Sequence, residues 1–317
     1  MAKLKQIVFM GTPQFGVPCL RLMTENGLTP CLCITQPDRP KGRKKRLQAP
    51  PIKLEAEKLG IAVAQPEDVN DEKFLQQLAA LQPDIIVTVA YGGYLKKKIR
   101  SLPQHGCINL HPSLLPQYRG SAPINFALLE GDEQTGISIF KIVAKMDAGP
   151  LILQREYPIS ADDNFTKLSE KLSKKGAEQM IEVLQMYEDE QVTFTPQDHT
   201  LATFSHKIFK NDMLIDWNLS AEKIYNLVRA LAEYPAATAS FRQKRIKIIS
   251  LEKTDKISDA EAGTVLQVIK NIGIEVATRD FNLIIKEVQP AGKKIMSAHA
   301  FNLGAQIAAG EKFENGF

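Results

Sequence analysis

The sequence predicts an α/β chain in two domains, a parallel-rich, doubly wound sheet followed by a small β-barrel of the OB type. Three observations predict it. Over the first half, short apolar runs near residues 5–10, 30–35, 84–90 and 106–110 alternate with helix-like stretches, the rhythm of βαβ units. After about residue 190 that rhythm stops, and one helical stretch is followed by β-rich runs separated by Gly, Asp and Asn turns, the succession expected of a small barrel. At 317 residues the chain is also longer than one hydrophobic core usually serves.

Taken in order, the opening MAKLKQIVFMGTPQFG has two lysines before an apolar run, a pattern that can be mistaken for a secretory signal. The run is short and leads straight into a Gly/Pro turn, so it reads as a first buried strand. GTPQFG lacks the middle glycine of G-x-G-x-x-G, so the dinucleotide fingerprint fails and the segment reads as a tight turn between strand and helix. Helices are expected near 16–26, 52–59, 71–81 and 123–130, the last begun by Pro123 at a favourable first position. Strands follow near 136–143 and 150–157. The amphipathic stretch SADDNFTKLSEKLSKKGAEQMIEVLQMYED then closes a first domain, residues 1–189. QVTFTPQDHTLATFS has no helical period and reads as an extended linker, 190–205. In the second domain, 206–317, SAEKIYNLVRALA reads as a helix and RIKIISLE, GTVLQVI, GIEVATR and FNLIIKEVQP as strands. Such a barrel either binds nucleic acid or merely packs and dimerises.

Hydrophobic residues at 44% and charged residues at 24% are an ordinary globular mixture. No stretch approaches the ~20 apolar residues of a membrane helix, so a cytoplasmic protein is expected. Cys19, Cys31, Cys33 and Cys107 have neither disulfide-framework nor zinc-ligand spacing, and reduced, buried thiols and no metal are expected. The net charge of +4 is uneven: residues 36–58 carry eight basic and three acidic side chains. Five of the six residues 41–46 are basic. Such a run is commonly just a solvated loop, but it is also the attractive surface a polyanion needs.

Ligands of open α/β sheets bind beyond the carboxyl ends of the strands. There the sequence reads CINLHPSLLPQYRGSAPI, with Asn109 and His111 two apart and therefore on one face of an extended strand. SIFKIVAKMDAGPLI is broken at Met146–Pro150, where a Gly-Pro turn can bring Asp147 back over the sheet edge. An amide, an imidazole and a carboxylate suit transfer of a formyl group to an amine. The first two donate to the oxyanion, and the acid orients the imidazole and assists proton movement. Neither a metal nor a Ser or Cys nucleophile is required, because the amine attacks directly. Singly, a His after a strand is more often structural, and an Asp in a turn is often only a cap. The ordered combination carries the reading.

That combination, Asn109-x-His111-x-Ser113-Leu-Leu-Pro116, then Tyr118-Arg119-Gly120-x-x-Pro123-Ile124 and Met146-Asp147-x-Gly149, resembles the signature of the folate-dependent formyltransferases. GTPQFG at 11–16, TQPDRPKGR at 35–43, VAYG at 89–92, IDW at 215–217 and QPAGKKIMSA at 289–298 extend the resemblance over essentially the whole chain. They narrow it to the branch that formylates methionyl initiator tRNA. The resemblance implies a Rossmann-like formyltransferase domain, a linker, a C-terminal OB-like barrel that binds tRNA, and 10-formyltetrahydrofolate as donor. It makes Asn109, His111 and Asp147 the catalytic trio and Ser113, Leu114, Leu115 and Pro116 part of the folate site. Two positions depart from the pattern: Pro112 stands where relatives often have a smaller residue, and Glu233-Tyr234-Pro235 replaces an Asn-Pro-Trp-Pro-like turn.

The resemblance also implies initiator methionyl-tRNA as partner; a monomer with neither membrane nor DNA as partner is expected. Arg39, Lys41, Arg43, Lys44, Lys45 and Arg46 form the expected tRNA contact, with Arg43 reading the acceptor stem and Lys44, Lys45 and Arg46 meeting phosphates. Two rivals are a formyltransferase for a small amine, such as glycinamide ribonucleotide or an amino-sugar nucleotide, and an RNA-binding module with a dead core. The first leaves the basic loop and barrel without use; the second makes the trio ornamental.

Overall fold

The computed structural model describes residues 4–41 and 46–315. They form two compact units. One comprises the chain as far as Pro123 together with Gln134–Pro158 and Ser169–Ser205; the other comprises Ile124–Glu133, Ile159–Leu168 and the chain from His206.

The first unit runs β1 (Ile7–Gly11), α1 (Val17–Glu25), β2 (Leu32–Ile34), a hairpin β3 (Arg39–Lys41) and β4 (Arg46–Gln48), α2 (Pro51–Lys58), β5 (Val63–Ala64), α3 (Glu72–Ala80), β6 (Ile85–Val89), α4 (Lys97–Arg100), β7 (Cys107–His111) and β8 (Arg119–Gly120). The chain then passes through α5 (Pro123–Glu130), which apart from Pro123 belongs to the second unit, and continues with β9 (Gln134–Lys141), β10 (Leu151–Pro158), α6 (Phe165–Glu188), whose first turn also belongs to the second unit, and β11 (Phe204–Ser205). The main sheet has the order β10-β9-β7-β6-β1-β2-β5. Its β5-β2-β1-β6-β7 part is parallel, while β9 and β10 are antiparallel. This is the parallel-rich sheet the sequence predicts. Strands β1 and β6 are buried at every position, as strands covered on both faces must be. Because β1, β2, β6 and β7 run the same way, the loops after Gly11, Ile34, Val89 and His111 gather at one edge. The basic segment, read from sequence as a plain loop, begins as the hairpin β3–β4 directly after β2.

The second unit contains α7 (Ala221–Leu231), β12 (Ala237–Phe241), β13 (Lys244–Ile257), β14 (Val265–Ile269), β15 (Gly273–Val276), β16 (Phe281–Pro290), β17 (Met296–Ser297), α8 (Ala298–Ala305) and β18 (Phe313–Asn315). The strands make one antiparallel sheet in the order β14-β15-β16-β13-β12-β18, with β17 on β16. Register shifts along β13 and β16 bend it. Its inner face packs Trp217, Ile224, Val228, Leu231, Ile248, Ile285 and Phe313 into one apolar core, consistent with an OB-like domain.

Candidate active site

Asn109 and His111 project from the same face of β7 at its carboxyl end, with Asn109 opposite Thr88 of β6 and Phe140 of β9. Thr88 is buried, and its hydroxyl lies 2.6 Å from Asn109 Oδ1. Donation from Thr88 fixes that oxygen inward and leaves the Asn109 amide N–H₂ for a ligand. His111 is also buried, and its Nε2 sits 2.9 Å from the Tyr118 carbonyl. A carbonyl only accepts, so Nε2 carries a proton and Nδ1 is the nitrogen that faces Asp147.

Asp147 reaches this position from the turn between β9 and β10. Its Oδ2 lies 3.9 Å from His111 Nδ1, longer than a direct hydrogen bond. The same Oδ2 accepts the Gly120 backbone N–H at 2.8 Å. Asp147 adopts φ +47°, a left-handed conformation uncommon for residues other than glycine. Two glycines make the arrangement possible. A Cβ on Gly149 would stand 1.7 Å from the Lys141 carbonyl, and one on Gly120, at φ +122°, would stand 2.1 Å from the Ser205 carbonyl. The Gly-Pro break thus places Asp147 beside His111, two residues along β7 from Asn109.

The segment after β7 turns through Ser113–Pro116. Ser113 is fully buried, and its hydroxyl donates to the Gln117 carbonyl at 2.6 Å. Ser138 donates to the Ser113 carbonyl and accepts from the Leu115 N–H, and Gln154 donates to the Leu115 carbonyl. Leu115 is buried, whereas Leu114 and Pro116 are half-buried. These two are the apolar side chains of the segment that remain within reach of a ligand. Just after the neighbouring strand β6, Tyr91 of the VAYG run is buried; burial pushes its phenol up to about 12, and its carbonyl accepts from Thr12 Oγ1.

The segment 190–205 packs against these residues. Its end, β11, pairs in parallel with β8, and the Tyr118 and Arg119 N–H groups both donate to Thr203. Gln197, also buried, lies against the Asp147 turn and against Arg119. Arg119 is 1% exposed; burial lowers its guanidinium below the usual value, against the opposing pull of the Asp147 charge. Thr88, Gly120 and Gln197 received no role from the sequence. Thr88 is masked there by the apolar strand around it, and Gln197 by a segment without period.

Of the basic residues, Arg39 is exposed and forms an ion pair with Glu67 at 3.1 Å. Lys41 ends β3, and Arg46 begins β4 with its side chain exposed. Arg43, Lys44 and Lys45 lie outside the described residues. The base of the hairpin is anchored by Asp38, which Gln65 and Lys53 hold at 2.8 and 2.9 Å and whose carboxyl they draw below its ordinary value. In the second unit, Tyr234 of the atypical turn is 78% exposed, with the Lys247 ammonium 5.7 Å from its ring. Among the described residues no group of three or more His, Cys, Asp or Glu is placed to hold a metal ion, and no helix is long and apolar enough to cross a membrane.

Fold and site together define an enzyme of the formyltransferase class. Residues 4–184 match the formyl transferase family, and residues 207–306 match the family described as formyl transferase, C-terminal domain. Methionyl-tRNA formyltransferase of Bacillus licheniformis is 45% identical over 308 residues, covering 97% of this chain and 97% of the relative. That of Bacillus subtilis is 43% identical over 307 residues, 96% of each. The chain belongs to the methionyl-tRNA formyltransferase family. Among solved structures, HypX from Aquifex aeolicus in complex with tetrahydrofolic acid superposes with a TM-score of 0.63 at 17% identity. That likeness covers 98% of this chain and 49% of HypX, so it is one of fold, and the chain spans about half the length of that protein.

Proposed function

We propose that this enzyme transfers the formyl group of 10-formyltetrahydrofolate to the α-amino group of methionyl initiator tRNA. In this reading residues 1–189 hold the folate and the aminoacyl end, 190–205 link, and 206–317 bind tRNA. The observation that carries it is the convergence of Asn109, His111 and Asp147 at the carboxyl edge of one sheet, with Asp147 3.9 Å from His111. The donor set fits a carbonyl-bearing ligand with a planar apolar body: an amide N–H₂ and a ring nitrogen for the oxygen, and half-buried Leu114 and Pro116 for the flat faces.

The reduced folate supplies an activated formyl carbon on a nitrogen that can leave. Asn109, its Oδ1 held by Thr88, donates through Nδ2 to the oxygen that becomes negative as the amine attacks. His111, with Nε2 fixed on the Tyr118 carbonyl, donates to the same oxygen through protonated Nδ1. Asp147 stabilises that charged ring, receives the proton released by the attacking amine and returns a proton to the departing nitrogen. The carbon–nitrogen bond to the amine forms and that to the folate breaks, so no covalent enzyme intermediate is involved.

Ser113 to Pro116 act as one wall of the folate site, with Ser113 and Leu115 shaping it from behind. Arg39, Lys41, Arg43, Lys44, Lys45 and Arg46 hold the acceptor arm from the hairpin after β2, which opens on the same sheet edge. Cytoplasmic placement follows from a tRNA substrate. The test is formyl release from 10-formyltetrahydrofolate with charged initiator tRNA, with uncharged tRNA, and with glycinamide ribonucleotide or an amino-sugar nucleotide. Turnover with charged initiator tRNA alone is the expected result; turnover with a small amine, or with none of them, overturns the reading.

A further inference from the structure

Asp147 sits in an uncommon backbone conformation, so something outside its own turn must hold it there. Gln197 does so. Its Nε2 donates to the Asp147 carbonyl at 2.9 Å and to the Gly149 carbonyl at 2.7 Å, while its Oε1 accepts from Arg119 Nε at 3.2 Å and Nη2 at 2.6 Å. The orientation of this amide is unambiguous, because a guanidinium can only donate and a carbonyl can only accept. Both hydrogens of the amide nitrogen and both lone pairs of its oxygen are used. Gln197 is 7% exposed, so water does not readily replace these bonds.

Arg119 is held in turn: its Nη2 also donates to His199 Nδ1 at 2.8 Å, and its backbone is paired to the Thr203 carbonyl. Its neighbour Gly120 donates to the Asp147 carboxylate. Residues 119 and 120 therefore clamp Asp147 twice, once through Gln197 on the backbone and once directly on the carboxylate. We infer that Gln197, braced by Arg119, is a positioning residue for formyl transfer: it holds the Asp147 turn so that the carboxylate stands over His111. This rests on the formyl-transfer reading above.

Gln197→Glu is the discriminating variant, since it keeps oxygens facing Arg119 and removes the two donors to the turn; Gln197→Met removes both halves. With full-length protein, Gln197→Glu lowers kcat by about ten- to a hundredfold at saturating folate and charged tRNA, the scale of a small misplacement of a reacting group. Both KM values stay within about threefold. In an Asp147→Asn background the same change costs less than about threefold more, because the group it positions is already gone. Amide hydrogen exchange across residues 142–150, measured without substrates, rises in both Gln197 variants. A kcat within about twofold of wild type, a loss that adds in full to that of Asp147→Asn, or unchanged exchange overturns the inference. Because exchange is read on the free protein, it distinguishes failure of the brace from failure of the reaction assignment, which shows instead as a wild-type chain inactive on charged tRNA.

Discussion

The Thr88 hydroxyl lies 2.6 Å from Asn109 Oδ1 and 2.9 Å from the Ile108 carbonyl, inside a strand that is otherwise apolar. One hydroxyl hydrogen cannot serve both acceptors fully, and the shorter contact is to the side chain. With its hydrogen on Oδ1, the Thr88 hydroxyl leaves the Asn109 amide nitrogen turned toward the ligand. Thr88→Val keeps the shape of the side chain and removes the donor, leaving the amide free to turn. A kcat about tenfold lower is expected with KM for folate little changed, the scale of one mis-set donor near an oxyanion. Thr88→Ser, which restores the hydroxyl, recovers most of the rate. Steady-state kinetics on the three proteins checks this, and a Val variant as fast as wild type removes Thr88 from the reading.

In the proposed mechanism His111 and Asp147 act in the reaction rather than in binding. Their nearest protein partners are a backbone carbonyl and a backbone N–H, so neither is expected to hold tRNA. His111→Ala or Asp147→Asn is expected to lower kcat by about a hundredfold or more while the affinity for charged tRNA changes less than about twofold. Single-turnover rates beside a tRNA-binding titration separate the two effects. Unchanged turnover in either variant would eliminate that residue from the mechanism.

What could be read in the sequence follows from distance along the chain. Asn109 and His111 are legible because a two-residue period on a strand needs no tertiary information, and the Gly149-Pro150 break announces the turn that carries Asp147. Gln197 meets Asp147 across 50 residues, a pairing that no local pattern encodes. Thr88 looks like one more β-former in a buried run. Strand β5 spans only Val63–Ala64, too short to alternate. The hairpin β3–β4 is hidden by its composition, since charge and proline suggest a loop whether or not its two ends pair.

The basic hairpin should separate reading from attraction. If Arg43 contacts a base edge while Lys44 and Lys45 contact phosphates, the two kinds of substitution differ in how they respond to salt. Arg43→Ala is expected to lower kcat/KM for charged initiator tRNA by about ten- to a hundredfold, leaving KM for folate within about twofold. Lys44→Ala is expected to weaken binding of initiator and elongator tRNA alike and to reduce the salt slope of log K by about one. Equal loss of tRNA and folate use in Arg43→Ala would point to a folding defect and against a recognition role.

A last expectation concerns stability at low pH and rests on Glu55 of α2. Its carboxylate is buried and forked by the Arg21 guanidinium, with Lys58 Nζ at 3.6 Å as a weaker partner. The Arg21 hydrogen bonds draw the carboxyl below its ordinary value, and they outweigh the burial that would raise it. The unfolded chain therefore takes up this proton at a higher pH than the folded one does, so folding is favoured most where the carboxyl is ionised in both states. The contribution is complete above the ordinary carboxylate range, near pH 4.3, and is lost as pH falls through the lower folded value. Glu55→Gln is expected to cost about 1 kcal/mol at neutral pH, between the worth of an exposed pair and that of a buried charged hydrogen bond. For domains of this size that is a fall of about 2–4 °C in Tm. Melting curves of the two proteins from pH 7 to pH 3 test it: the gap closes as the medium is acidified, and a gap that stays constant would show that the Arg21 pairing does not set the acid response.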